Sequence, residues 1–374
     1  MLRLLTRRGM LSQTRWRDDP PLSPQPPPGG PGVDPPGRHV LVRVEQVALT
    51  SNVFTYGATG DAFGYWDFWP TGEPGWGSLP AWGTAQVLAG DVTGLPVGSR
   101  LAGLLPIASH ALLQPEHITG TSLRDGAPHR RPLMAAYQHY QRLPGQPGPG
   151  GVLDEQLASL LRPLVVLAAV LADAVLDTTP APATVVLTSA SSRTARAVAR
   201  ELTNRAHVIG LTSPERVAEV QATGLYNQAM GYQQIDRLTN NAAPGPAVVV
   251  DLAGRADLRA HARAALADRS TRCLLVGATH GGGLLPGPEE EVFLAPERMR
   301  VRAKAWGPAA LASHLEAAWQ QHLPAARAHV QVVHTTTPAQ VLDAYTEVLT
   351  GRCPLSHGHL ITLPPTMTSA TTTD

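Results

Sequence analysis

The second half of the chain alternates short β-branched runs with helical segments, and this rhythm constrains the fold more than any other feature. An apolar helical segment (154–176) leads to VVLT (185–188), and a helix follows from 194. Next come HVIGLT (207–212), a helix from Pro214, a short QAMGY segment, AVVVDL (247–252), a helix (257–268) and CLLVGAT (273–279). Strands separated by helices of this length form βαβ units, because parallel neighbours need a crossover. The expected fold class is α/β, with a doubly wound parallel sheet. Beyond a loop (280–290), two further helical segments lead to VQVVHT and GHLITL, and 365–374 read as a disordered tail.

The first 150 residues have a different texture. MLRLLTRRGM reads as a first strand, since its apolar run is too short for a secretory segment. Residues 20–36 hold nine prolines and read as an extended connector. HVLVRVEQVALT, WGTAQVLAG and LPVGSRLAG, with the turn Asp91–Gly94, are short apolar runs punctuated by Gly and Pro. That pattern indicates a β-rich domain, sandwich or barrel. The expected organisation is 1–150 β-rich, 151–300 parallel-sheet, 301–364 helices and a strand returning to the first domain, and then the tail.

Charge excludes some functions. Thirty basic and 29 acidic residues leave a net charge of +1, so neither nucleic acid nor an anionic membrane is an expected partner. The apolar run Leu164–Ala172, bounded by Arg162-Pro163 and Asp173, falls short of the roughly 20 residues that span a bilayer. Two cysteines build neither a disulfide framework nor a Cys-rich zinc site, which points to a soluble, cytoplasmic protein.

The turn after VVLT is where a dinucleotide-binding protein keeps its glycines, and here it reads SASSRTA. Ser189, Ala190, Ser191, Ser192 and Ala195 supply the smallness that close approach needs, and Arg193 and Thr194 open the helix whose amides would face a phosphate. Easy access to positive φ is lost. An ordinary strand-to-helix turn fits the same residues. At the end of the second strand no acid is present to hold a ribose 2′-hydroxyl. Thr212 and Ser213 stand there, with Arg216 one turn on, a set suited to a 2′-phosphate and so to NADP over NAD. Ser213 as a plain helix cap is the alternative.

Nine of the 18 aromatic residues lie between Phe54 and Trp82. Gly and Pro punctuation reads this stretch as a loop, with Tyr65 and Asp67 as polar groups in an apolar pocket wall. An aromatic mini-core packing a long loop is the rival reading.

The order of these pieces resembles the medium-chain dehydrogenase/reductase superfamily, in its zinc-independent quinone-reductase and enoyl-reductase branch. VLAGDVTGLPVGSRLAGL, GLTSPERVAEVQATGLYNQAMGY, VVVDLAG and TTPAQVLDAYTEVLTGRCPLSHGHLITL carry the likeness, with Ser99 in place of the usual Asp. SASSRTA, YWDFWP, APHRRPL and FLAPERM look like an uncharacterised offshoot family with an S-A-S-S-K-T-A loop. The resemblance implies a GroES-like catalytic domain joined to a Rossmann domain. It implies that Arg216 and Tyr232 hold the NADP 2′-phosphate, and that Leu252 and Gly277-Ala278 line the cofactor. It also implies that Asn52 and Tyr56 begin the pocket over the nicotinamide. The superfamily's zinc ligands have no counterpart, Asn52 standing near the catalytic cysteine position, and no metal is expected.

The resulting expectation is an NADPH-dependent reductase of a quinone-like or α,β-unsaturated carbonyl compound, with Asn52, Tyr56, Tyr65 and Asp67 as catalytic candidates. A non-catalytic NADP-binding sensor or partner protein is the rival. A non-redox enzyme on the same scaffold is a third reading. The partner is a small-molecule substrate, and a homodimer is left open.

Overall fold

A computed structural model describes residues 1–23, 39–147, 150–276, 286–287 and 289–366. Most of the proline-rich connector, Gly277-Ala278 and most of the expected tail therefore lie outside the described residues. The chain divides into two compact units, Met1–Leu160 with His329–Asp374, and Leu161–Ala328. Residues 301–328, grouped by the sequence with the returning C-terminus, belong to the second unit.

Along the first unit run β1 (Leu2–Arg7), β2 (Met10–Asp18) and β3 (Val40–Leu49), then helices α1 (Ser51–Ala58) and α2 (Gly60–Phe63). β4 (Trp76–Gly77), β5 (Pro80–Ala89), β6 (Arg100–Pro106), β7 (His110–Leu113), β8 (Pro115–Glu116), β9 (Ser122–Asp125) and β10 (His139–Leu143) follow. Helix α3 (Gly151–Leu176) carries the chain across the division. The second unit holds β11 (Thr184–Leu187), α4 (Arg193–Leu202), β12 (His207–Thr212), α5 (Val217–Ala222), β13 (Gln228–Gly231), α6 (Leu238–Asn241) and β14 (Ala247–Asp251). It continues with α7 (Ala256–Leu266), β15 (Ser270–Leu275), β16 (Glu290–Val292), α8 (Ala295–Trp306) and α9 (Pro308–His329). β17 (Gln331–Thr335), α10 (Pro338–Leu349) and β18 (His357–Ile361) return to the first unit.

In the first unit a nine-stranded sheet runs β17-β18-β3-β5-β6-β10-β9-β8, with β7 also paired to β3, beside a small β2-β1-β4 sheet. Apart from the parallel β17–β18 pair, its ladders are antiparallel. Alternation along β3 explains the fold locally: Val40, Val42 and Val44 are buried while Arg43 is exposed.

The second unit's six strands run β13-β12-β11-β14-β15-β16, all parallel. Numbered within the unit, that order is 3-2-1-4-5-6, the doubly wound dinucleotide-binding arrangement. Val185, Val186, Val248 and Val249 are fully buried, as a sheet covered on both faces requires.

Two expectations need correction. The aromatic stretch is only in part a loop: it folds into α1, α2, a single 3-10 turn at Tyr65–Asp67, β4 and the start of β5, with residues 68–75 irregular. Its rings are largely core, with Trp66 and Phe68 1% exposed and Trp69 4%. Gly60 and Gly77 flank Trp66 so closely that a Cβ on either would meet the indole at 2.3 and 2.2 Å. The second correction concerns the apolar run Leu164–Ala172: the helix expected at 154–176 forms as α3, 26 residues long, and its apolar stretch is longer than that run. By length and composition it is apolar enough to cross a membrane, but most of its apolar window is buried within the protein.

Candidate active site

In the first unit, α1 places Asn52 and Tyr56 one turn apart on one face. Asn52 Nδ2 donates to the Tyr56 hydroxyl at 3.4 Å, and Trp82 Nε1, from β5, donates to the same oxygen at 2.9 Å. Tyr65 lies beside Tyr56, ring centroids 4.6 Å apart, and its hydroxyl donates to that of Tyr137 at 3.2 Å. Tyr137 also hydrogen-bonds Tyr56, closing a phenol network edged by Phe68 and Trp82. Of the four catalytic candidates, Asn52, Tyr56 and Tyr65 come together. Asp67 does not: it is exposed, and among the described residues no hydrogen bond ties its side chain to the cluster.

Burial among the rings is the main reason the Tyr56, Tyr65 and Tyr137 phenols are pushed well above the ordinary tyrosine value. The proton stays on, so Tyr56 serves as a hydrogen-bond donor rather than an acid that ionises. Its oxygen already accepts from two N–H groups, and its own hydrogen goes to the Tyr137 hydroxyl.

The sequence reading did not join Trp82 and Tyr137 to Tyr56, and placed Tyr137 instead with the basic residues 129–131 as a candidate for an anionic group. Trp82 was one aromatic among nine, and Tyr137 stood 81 residues beyond Tyr56 beside a basic turn. In that turn, His129-Arg130-Arg131, Arg130 is engaged inside the fold, buried against Asp125 and stacked on Trp69, 3.9 Å from the ring centroid.

In the second unit, SASSRTA connects β11 to α4. Ser192 is the N-cap, its Oγ accepting from Ala195 N at 3.1 Å. Thr194 and Ala195 are buried, while Ser191 and Arg193 are partly exposed at the helix's N-terminal end. Ser189 takes φ +52°, the conformation that its missing glycine would adopt freely. The close approach is made elsewhere. Ala190 packs where Gly210 of β12 leaves room, 2.8 Å from the place of a Cβ there, and Tyr226 donates to the Ala190 carbonyl at 2.7 Å.

Thr212 ends β12, buried, with Ser213 and Arg216 partly exposed beyond it. Ser213 occupies the N-cap position of a 3-10 turn (Pro214–Arg216), but its hydroxyl bonds the Glu215 carboxylate instead of a backbone amide. Tyr232 is placed differently from its expected role at a 2′-phosphate: its hydroxyl accepts from Ser189 N at 3.1 Å, directly on the loop.

The switch point of the sheet lies between β11 and β14, where ligands of such folds sit at the strands' carboxyl ends. Thr188 donates there to Asp251 at 2.6 Å and accepts from the Leu252 and Ala253 amides at 2.9 and 3.1 Å. Asp251, fully buried, also takes the Gly254 and Arg255 amides and the Arg259 guanidinium at 2.9 Å. Arg259 reaches Glu290 as well, at 3.3 Å. This network fixes the Leu252 backbone and was not read from the sequence, although an Asp ending an apolar strand was its visible trace.

Metal-ligand spacing is lacking in the sequence, yet the fold brings three metal-capable side chains together in the first unit: Glu347, Cys353 and His359.

Solved structures share this fold. CurA of Vibrio vulnificus, in complex with NADPH, matches with a TM-score of 0.62 at 13% identity, covering 97% of this chain and 99% of that one. CurK enoyl reductase matches with 0.58 at 15%, over 97% and 99%. The quinone oxidoreductase of Pseudomonas syringae pv. tomato DC3000 matches with 0.54 at 16%, over 96% and 99%. At these identities the likeness establishes the fold, a GroES-like β-rich part with a Rossmann part, as the resemblance implied. No curated protein matches the chain. One family model covers residues 47–354, and the chain belongs to that family, described as "Protein of unknown function (DUF2855)".

Proposed function

We propose that the protein is an NADPH-dependent reductase of a small α,β-unsaturated carbonyl or quinone-like compound. The observation that carries this reading is the Tyr56 hydroxyl, its oxygen held by Trp82 and Asn52 and its hydrogen shared with Tyr137. A substrate oxygen can take the place of the Tyr137 hydroxyl as acceptor. In a reduction of this class an electrophilic carbon gains hydride and the conjugated oxygen gains negative charge. A fixed donor aimed at that oxygen lowers the barrier. Tyr56 supplies the donor, Tyr65 and Tyr137 orient it, and the proton that completes the product comes from water.

NADPH, when bound, supplies the hydride, and this chain's residues fit it. The α4 end with Ser191, Arg193 and Thr194 suits the pyrophosphate, and Ser213 with Arg216 suits the 2′-phosphate once the exposed Glu215 carboxylate releases the Ser213 hydroxyl. The fold neighbours include an NADPH complex and a quinone oxidoreductase, which supports the reading. The non-catalytic binder is kept as a second reading because the Ser189 amide is already taken by Tyr232. We read the protein as soluble and cytoplasmic, with α3 as a core helix.

The test is NADPH oxidation with a panel of enones and quinones. Tyr56→Phe is expected to lower kcat by about 10²-fold, the loss of one oxyanion donor, with NADPH binding unchanged. Tight NADPH binding with no turnover of any acceptor would favour the binder. Equal kcat in parent and Tyr56→Phe would remove Tyr56 from the reaction.

A further inference from the structure

Helix α10 ends in a Schellman turn that folds the chain back onto its last residues. Gly351, at φ +70°, donates to Val348 O at 3.2 Å, and Arg352 N donates to Glu347 O at 2.9 Å. Cys353 N also donates to Glu347 O, at 3.2 Å. The turn thus fixes Cys353 beside the helical turn that carries Glu347. Strand β18 then brings His359, only 5% exposed, to the same place, with Nε2 3.5 Å from Glu347 Oε2. Donor atoms of Glu347, Cys353 and His359 all lie within 4.8 Å of one another.

We propose that these three side chains form a Zn²⁺ site, independent of the reductase reading. One carboxylate oxygen, one thiolate sulfur and one imidazole nitrogen form a borderline-soft donor set, which suits Zn²⁺ and is poor for Ca²⁺ or Mg²⁺. Tetrahedral ligands at ~2.0–2.3 Å from zinc stand about 3.5 Å apart, so the observed spread closes by side-chain rotation. Glu347 is 45% exposed, which leaves the fourth position to water. On binding, the Cys353 thiol gives its proton to solvent as the Zn–S bond forms, and no electrons are exchanged.

The site would fasten α10 to β18. His359 pairs in register with Leu49, two residues before α1, so the metal would stiffen the support of the helix that carries Asn52 and Tyr56.

The experiment uses the full chain without a histidine tag, and Zn²⁺ or Co²⁺ alone as the probe. One Zn²⁺ per chain should survive gel filtration, added Zn²⁺ should raise the Tm, and Co²⁺ should give a thiolate charge-transfer band in the near ultraviolet. Cys353→Ser and Glu347→Gln should each weaken Zn²⁺ binding by roughly tenfold or more, with circular dichroism confirming a folded chain. Cys273→Ser, at the other and buried cysteine, should change nothing. The proposal is overturned if the folded parent retains no Zn²⁺, if Cys353→Ser binds Zn²⁺ as the parent does, or if the Co²⁺ band disappears with Cys273→Ser instead.

Discussion

The phenol cluster of the first unit and the SASSRTA turn of the second solve opposite problems. In the cluster, side chains do the chemistry: Tyr56, Tyr65 and Tyr137 share hydroxyl contacts inside a wall of rings. At the turn, side chains serve the backbone. Ser192 caps α4, Ala190 fits against Gly210, and Asp251 gathers the amides after β14. Changing a hydroxyl in the first place should cost function while sparing the fold. Changing the supports in the second should cost the fold itself.

The largest effect should come from Asp251→Ala, which leaves the buried Arg259, 3% exposed, with Glu290 alone and three loop amides without their acceptor. We expect a loss of about 3–5 kcal/mol and a Tm lower by roughly 10 °C, measured by denaturant and thermal melts. A fall below 1 kcal/mol would show that the second unit's turn does not depend on this network, and the contrast would break.

Arg216→Ala should come next. It should remove ~1.5–3 kcal/mol of NADPH affinity, more than tenfold, and leave NADH affinity unchanged. Titration of both nucleotides checks this, and equal affinities in the parent would sink the 2′-phosphate assignment.

Ser189→Gly sharpens the comparison from the other side. From the sequence, glycine there looks neutral or mildly destabilising, because it adds unfolded-state entropy. With Ser189 at φ +52° the sign reverses, and the variant should gain up to about 1 kcal/mol. A melt with no gain would mean that the turn holds Ser189 without strain.

The smallest effect concerns pH. Burial raises the phenols of Tyr56, Tyr65 and Tyr140, so the folded chain keeps protons that the unfolded chain releases near pH 10. Their stabilisation is complete below about pH 10 and is lost as pH rises towards their folded values. The Tm of Tyr140→Phe should therefore decline less steeply than that of the parent above about pH 10.

Much of the fold was legible in the sequence. The doubly wound parallel sheet follows from VVLT, HVIGLT, AVVVDL and CLLVGAT, since a run that is apolar on both faces is stable only when helices cover both sides. The edge strands β13 and β16 and the strand order came from the structure. Asn52 and Tyr56 were also within reach, because a spacing of four is a local, helical relation. Three-dimensional packing alone decided the rest. Trp82 and Tyr137 reach Tyr56 from a strand and a turn that no local pattern ties to α1. Arg259 meets both Asp251 and Glu290 only because β14, α7 and β16 dock together. Glu347, Cys353 and His359, six residues apart each, fit no metal motif along the chain, and a helix end, a turn and a strand brought them together. Sequence records what each residue prefers within its own element, whereas a site is made by contacts between elements, which only the folded chain specifies.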